Sequence, residues 1–348
     1  LHLMKRSFFV LGVAVAALAS CTNEEVVDMP QSRAIQFGTF VNHSTRGNVS
    51  ETTDQTLDKF FVFGNYDEDT WTPVYTNVVV NGGKVGDQTT WTPELTAYWQ
   101  ANQKYNFGAY SNGGNKLDNA NFDAQTQKLT FPNYTPNNNN DLIVAIPETV
   151  NSNAVPTTNE KVGLSFQHML SQVKFTFENT DSHDYTMKIS DIKVNAVKTA
   201  TGTAIYREEK LTIDWETESA TTNDYQFDDL EDIAEEVKGD SHSTTCFVIP
   251  QNNQNLVVTF TATFSDASGE IASSTFKGNL NYQGNYEGTE TGEWTPGFKY
   301  NYTVGINGSK VDPDLEEQII EFKVDVLKGW TNATDTPVTP KEQSAAGE

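Results

Sequence analysis

The feature that most limits how this chain can fold is a period of two. In Val258-Thr259-Phe260-Thr261-Ala262-Thr263-Phe264 apolar and polar side chains alternate without a break, and Val173-Lys174-Phe175-Thr176-Phe177 and residues 192–196 do the same. Along an extended strand successive side chains point to opposite faces, so such a segment has one side to bury and one to leave in water. On a helix the same order would put apolar groups on every side. The threonines mark the wet face of an antiparallel sheet. Phe60-Phe61-Val62-Phe63 is apolar on both faces, as for a strand covered from both sides, and residues 74–80 and 105–110 follow between Gly, Asn and Pro clusters. Helical spacing is nearly absent. The exception is Leu230, Ile233, Ala234 and Val237 within an acidic stretch, which predicts a short amphipathic helix. The fold class expected is all-β, with mostly antiparallel strands in two tandem β-sandwiches.

Before the strands comes a different signal. Lys5 and Arg6 precede an apolar run over residues 8–17 and then Leu18-Ala19-Ser20-Cys21, with Met4 read as the start. That run is too short to span a bilayer and reads as a cleaved export signal rather than a buried helix. Its ending resembles the bacterial lipobox, in which the cysteine becomes the lipid-bearing first residue. Cys21 is therefore the expected lipidation site, carrying palmitate or a similar acyl chain. With 47 acidic against 23 basic residues the net charge is -24, which suits an exported surface protein and argues against nucleic acid, whose phosphates it would repel. Cys246, in the apolar run Cys246-Phe247-Val248-Ile249, has no second cysteine to pair with and reads as a buried, inert thiol.

The chain divides as follows: a signal peptide over 1–20, a polar tether over 21–33, a first strand with its loop over 34–46, sandwiches over 47–160 and 161–335, and a polar tail over 336–348. In the first strand Ile35, Phe37, Thr39 and Val41 share one side, after which Asn42-His43-Ser44-Thr45-Arg46-Gly47-Asn48 is polar and turn-prone. Such a strand can be cut away. Cleavage after Arg33 would leave it in place, whereas cleavage after Arg46, giving a new end at Gly47, removes it whole; small polar neighbours mark exposed, protease-accessible chain. Its loss would open an apolar groove flanked by unpaired backbone groups that a strand from another chain can fill. Near the other end Ile320, Phe322, Val324 and Val326 alternate with Glu321, Lys323 and Asp325. This run is either a donor for such a groove or the strand that closes its own sandwich.

The halves also echo each other, since Trp99, Lys104, Tyr105, Asn106 and Phe107 match Trp294, Lys299, Tyr300, Asn301 and Tyr302 at identical spacing. The echo reads as duplication of one sandwich, which is compatible with core aromatics recurring at a shared turn type. No catalytic motif, phosphate loop, metal-ligand spacing or cofactor signature occurs, so no enzyme, metal or cofactor is expected. Among the histidines only His168 lies in a strand opening, where a satisfied core or edge histidine is expected.

The lipobox, the Ile35-x-Phe37 strand with Thr45-Arg46, Leu164-Ser165-Phe166-Gln167-His168-Met169-Leu170-Ser171 and Phe298-Lys299-Tyr300-Asn301-Tyr302-Thr303-Val304 together resemble the fimbrillin family of Bacteroidales, pilus subunits related to the major and minor fimbrial proteins. The resemblance implies two transthyretin-like sandwiches, export as an outer-membrane lipoprotein, cleavage after an arginine by a trypsin-like surface protease, and donor-strand exchange with other copies or related subunits into an adhesive cell-surface fimbria. The competing reading is a surface glycan-binding lipoprotein, with Trp71, Trp91, Trp99, Trp215 and Trp294 as stacking platforms, although Trp71, Trp91 and Trp294 each open a Trp-Thr-Pro triplet that suits strand entry.

Overall fold

The computed structural model describes residues 34–41, 56–85, 88–137, 140–153, 161–234, 242–281, 292–312, 315 and 317–328. Nearly all of the regular structure is strand. From the amino end run β1 (Phe37–Val41), β2 (Lys59–Glu68), β3 (Thr70–Val85), β4 (Gln88–Pro93), β5 (Lys104–Asn112), β6 (Asn121–Asp123), β7 (Lys128–Tyr134) and β8 (Leu142–Ala145). They continue as β9 (Val150–Asn151), β10 (Val162–His168), β11 (Ser171–Asn179), β12 (Thr186–Val197), β13 (Ala200–Arg207), β14 (Lys210–Trp215) and β15 (Thr222–Gln226). The last are β16 (Leu230–Ile233), β17 (Ser243–Val248), β18 (Val257–Asp266), β19 (Gly269–Asn279), β20 (Phe298–Ile306), β21 (Gln318–Ile320) and β22 (Lys323–Lys328).

An 8-stranded sheet runs β1-β10-β8-β5-β2-β3-β4, with β9 beside β5. In β2 the run that is apolar on both faces does serve two cores. Phe61 and Phe63 face a second sheet, β14-β13-β7-β6, and share a cluster with Tyr110, Leu129, Phe131 and Trp215. Phe60 and Val62 point the other way, into a cluster built wholly from the large sheet and its connections: Ile35 and Phe37 at one edge, Tyr75, Tyr105, Phe107 and Phe166 between, Trp91 at the far edge. Side chains from both edges meet because the sheet rolls. Register shifts around Gly64 bend it, and a β-carbon at Gly64 would come within 2.7 Å of the Phe107 ring, so only glycine lets the layers close.

The second sandwich faces β17-β11-β20-β22 against β15-β12-β18-β19-β21, and the alternating residues Phe175, Phe177, Phe260, Phe264, Tyr300 and Tyr302 fill the space between. The repeated Trp…Lys-Tyr-Asn pattern has a structural counterpart. Gln100 N donates to the Tyr105 hydroxyl at 2.6 Å, and Thr295 N, at the same place in the repeat, donates to the Tyr300 hydroxyl at 2.8 Å. Both tyrosines are buried where their strands begin.

Three sequence expectations change. Pairing does not switch at residue 160: β10 joins the rolled sheet beside β8, and β13 pairs with β7, so strands from beyond the expected boundary complete the first sandwich. Alternation shows that a strand has a face to bury but not which sheet edge receives it. The helix expected from Leu230 is instead strand β16, paired with β12 through Met187↔Ile233 and Ile189↔Leu230. A bulge with Asp232 at φ 52 puts two exposed residues between the buried Leu230 and Ile233, which reproduces helical spacing in an extended chain. The alternating run from Ile320 is not one strand: β21 ends at Ile320 beside β19, and β22 begins at Lys323 beside β20 in the opposite sheet.

A carboxylate ties the turn after β11 to the 3₁₀ turn Gly308–Lys310 after β20. Buried Asp181 accepts hydrogen bonds from His183 N, His183 Nδ1, Ser309 N and Ser309 Oγ, between 2.6 and 3.0 Å. Burial alone pushes this carboxyl up, but the bonds from His183 and Ser309 outweigh it and hold it well below the usual carboxylate range. A depressed folded pKa contributes stability above the unfolded value of about 3.9, lost as pH falls toward the folded one. Asp181→Ala is therefore expected to cost about 1.5–3 kcal/mol at neutral pH and to flatten the acid limb of a stability–pH curve below about pH 4, read by urea unfolding.

Candidate assembly groove

β1 is the stave that closes the roll. Its residues pair in parallel with β10, Phe37↔Val162 through Val41↔Phe166, and Val162 N donates to Gln36 O at 2.7 Å. On the other side Ile35 N donates to Ala97 O at 2.9 Å and Ala34 forms a bridge with Tyr98, in the connection after β4. Each end of the segment is thus held by a different edge of the same sheet.

The inward side chains do the rest. Ile35 is 2% exposed and Phe37 1%, while Gln36 between them faces solvent. The Phe37 ring lies 5.9 Å from Phe60, 5.8 Å from Tyr75 and 6.0 Å from Phe107, centroid to centroid, a nest of edge-on and tilted contacts. Burial pushes the Tyr75 phenol up to about 12, so its titration reports on whether this nest is closed. Thr39 is half-buried at the rim. Taking β1 away would leave an aromatic slot bounded by the free edge of β10.

At the other end of the chain, Phe322 sits where the backbone crosses between the two sheets of the second sandwich. Its ring approaches Phe175 at 5.7 Å, Tyr302 at 6.2 Å, and Phe177 and Phe260 at 6.3 Å. A β-carbon at Gly278 would collide with it, so the absence of a side chain there makes its seat. Val326 is buried, Ile320 and Val324 partly so. Of the two readings open from sequence, this arrangement has the segment closing its own sandwich, as the edge strand of each sheet.

The expected lipidation and cleavage residues, Cys21, Arg33, Arg46 and Gly47, lie outside the described residues, as do the signal, tether and tail. What sequence missed is the clamp at Ala97 and Tyr98 and the role of Val162, Leu164 and Phe166 as the wall beside β1. Their alternation was visible, but nothing in it pointed to residue 37.

Other candidates resolve as structure. His168 is buried with Nδ1 2.9 Å from Asp141 Oδ2. Cys246 is buried, its Sγ donating to Gln226 O at 3.2 Å. Asp181, His183 and Ser309 look like a hydrolytic triad in composition, yet Ser309 Oγ and the carboxylate both meet the same nitrogen, His183 Nδ1, whereas a relay needs the serine on the opposite one. Among the described residues no group of three or more His, Cys, Asp or Glu could hold a metal, and no helix is long and apolar enough to cross a membrane.

Residues 45–326 match the model of the family described as fimbrillin-like. The chain belongs to the fimbrillin-like family. That makes it a fimbrial, adhesin-type subunit in a family of structural rather than catalytic proteins of the cell surface. No curated protein matches it. Among solved structures it is similar to a candidate cell adhesion protein from Bacteroides uniformis, with 16% identity and TM-score 0.49 over 86% of this chain and 99% of that one. It is also similar to one from Parabacteroides distasonis, with 10% identity and TM-score 0.47 over 86% and 97%. A third is the fimbrial anchor protein Mfa2 from Porphyromonas gingivalis, with 13% identity and TM-score 0.30 over 77% and 90%.

Proposed function

We propose that this fimbrillin-like chain is exported as an outer-membrane lipoprotein on Cys21, cut after Arg46 by a trypsin-like surface protease, and built into an adhesive fimbria by strand exchange with copies of itself or related subunits. The observation that carries this reading is the seat of β1 and the residues just before it: a short parallel edge strand with buried anchors at Ile35, ahead of it, and Phe37, within it, ending at Val41, five residues ahead of Arg46. One cut after Arg46 makes this strand a separate peptide, and its departure exposes both an apolar slot and the backbone edge of β10, the two things an incoming strand satisfies.

The donor proposed is the terminal segment with Ile320, Phe322, Val324 and Val326. It lies at the edge of its sheets, so it can peel away without breaking a central ladder. Burying its aromatic and aliphatic side chains in a neighbour's slot offsets their loss from its own sandwich, the near balance that makes exchange between like subunits inexpensive. Amino-terminal sequencing of surface-assembled material tests the cut: an end at Gly47 is expected, and an end at Ala34 or an uncut chain would overturn it. Cys21→Ala is expected to abolish labelling with palmitate analogues and release the protein from membranes, since acyl chains supply its anchorage. Unchanged labelling would remove the lipoprotein step.

A further inference from the structure

The described tryptophans differ in what they meet, and Trp99 is partly buried, edge-on to Tyr105 and Phe107. Trp91, Trp215 and Trp294 are buried in cores, and the Trp215 indole donates to Met169 O at 2.9 Å, so none of these can act as a platform. Trp71 is different. It is partly buried against the core of the first sandwich and also lines an open cleft of about 520 Å³ between the tip of the β2–β3 hairpin and the β6–β7 turn.

The strand pattern builds this cleft. Residues 61, 63, 65 and 67 share one face of β2, and after Phe61 and Phe63 the face turns polar at Asn65 and Asp67, where the opposing sheet ends. Trp71 pairs directly with Asp67 across the hairpin, which places ring and carboxylate side by side. Beneath the ring Phe122 is 9% exposed and packs over Gly108, where a β-carbon would come within 2.6 Å of it. The far wall is the β6–β7 turn, fixed because Asp123 Oδ1 accepts from Gln125 N at 2.9 Å and Oδ2 from Thr126 Oγ1 at 2.7 Å.

We propose that this cleft is a saccharide-binding site for neutral or amino sugars. The Trp71 ring suits the apolar face of a pyranose, while Asn65, Asp67 and Gln125 supply the planar acceptors and donors that bind vicinal hydroxyls. Asp67, Asp69 and Asp123 set the charge: a sialic or uronic acid would bring its carboxylate against theirs, and a neutral or cationic sugar would not. The site lies away from the β1 slot and does not depend on strand exchange.

The test is calorimetric titration of the full chain with cellotriose, mannotriose, chitotriose and galactobiose, beside sialyllactose and a hyaluronan tetrasaccharide. At least one neutral probe is expected to saturate, and its affinity to fall at least tenfold in both Trp71→Ala and Asp67→Ala. Asp67 is exposed, so its variant keeps the test open if Trp71→Ala loosens the core. The proposal is overturned if no neutral probe saturates, if binding is unchanged in Asp67→Ala, or if the acidic sugars bind as tightly as the neutral ones.

Discussion

Phe37→Ala is expected to lower the stability of the uncut chain by about 3–5 kcal/mol, the usual cost of emptying a fully enclosed phenylalanine site. The ring is 1% exposed and meets Phe60, Tyr75 and Phe107, and the walls of its slot come from strands locked in the rolled sheet, so the cavity cannot collapse cheaply. Urea unfolding should show a lower midpoint at unchanged slope. Because Phe37 sits on the segment that must leave, the same change should speed strand release once the chain is cut after Arg46. The Tyr75 phenol, pushed up to about 12 by burial, should titrate nearer 10 as the slot opens. Thr39→Ala, at the rim, is expected to stay within about 0.5 kcal/mol. A Phe37→Ala chain as stable as the parent would mean that β1 does not close this core.

Phe322→Ala should act twice. In the monomer it removes a partly buried ring from between Phe175, Phe177, Phe260 and Tyr302 and should cost about 2–4 kcal/mol, somewhat less than a fully enclosed site. In assembly it removes the largest side chain of the proposed donor, so cut subunits should form few or no oligomers even under conditions where the monomer stays folded. Ile319→Ser is the control, since Ile319 is 77% exposed and is expected to change neither stability nor assembly. Oligomers of Phe322→Ala at parental yield would assign donation to another segment.

The sequence carried the faces of the strands better than their partners. Phe60-Phe61-Val62-Phe63 announced two cores and has them, because burial on both sides writes itself into every position of a run. The first strand was legible through Ile35 and Phe37, whose shared side is the one buried. Its neighbour was not, because the parallel pairing of β1 with β10 joins residues far apart in the chain, and alternation at Leu164 and Phe166 is the same whichever edge they meet. Bulges misled in a specific way: at Asp232 a positive φ stretched the spacing of buried residues from two to three and imitated a helix. The break at Phe322 was hidden for the opposite reason, since a residue plugging a seam between sheets keeps the alternation of a continuous strand. The cleft at Trp71 could have been suspected where the buried face of β2 turns from Phe63 to Asn65 and Asp67.

The most direct measurement is an SDS gel of unheated samples after treating the purified full chain with an arginine-specific protease. A ladder of oligomers that collapses on boiling is expected from the parent and from Arg33→Lys, while Arg46→Lys, cut slowly but folded as the parent, should remain a single band. A ladder from Arg46→Lys equal to the parent's, or a parent cut to Gly47 that stays monomeric, would contradict assembly through the slot that β1 vacates.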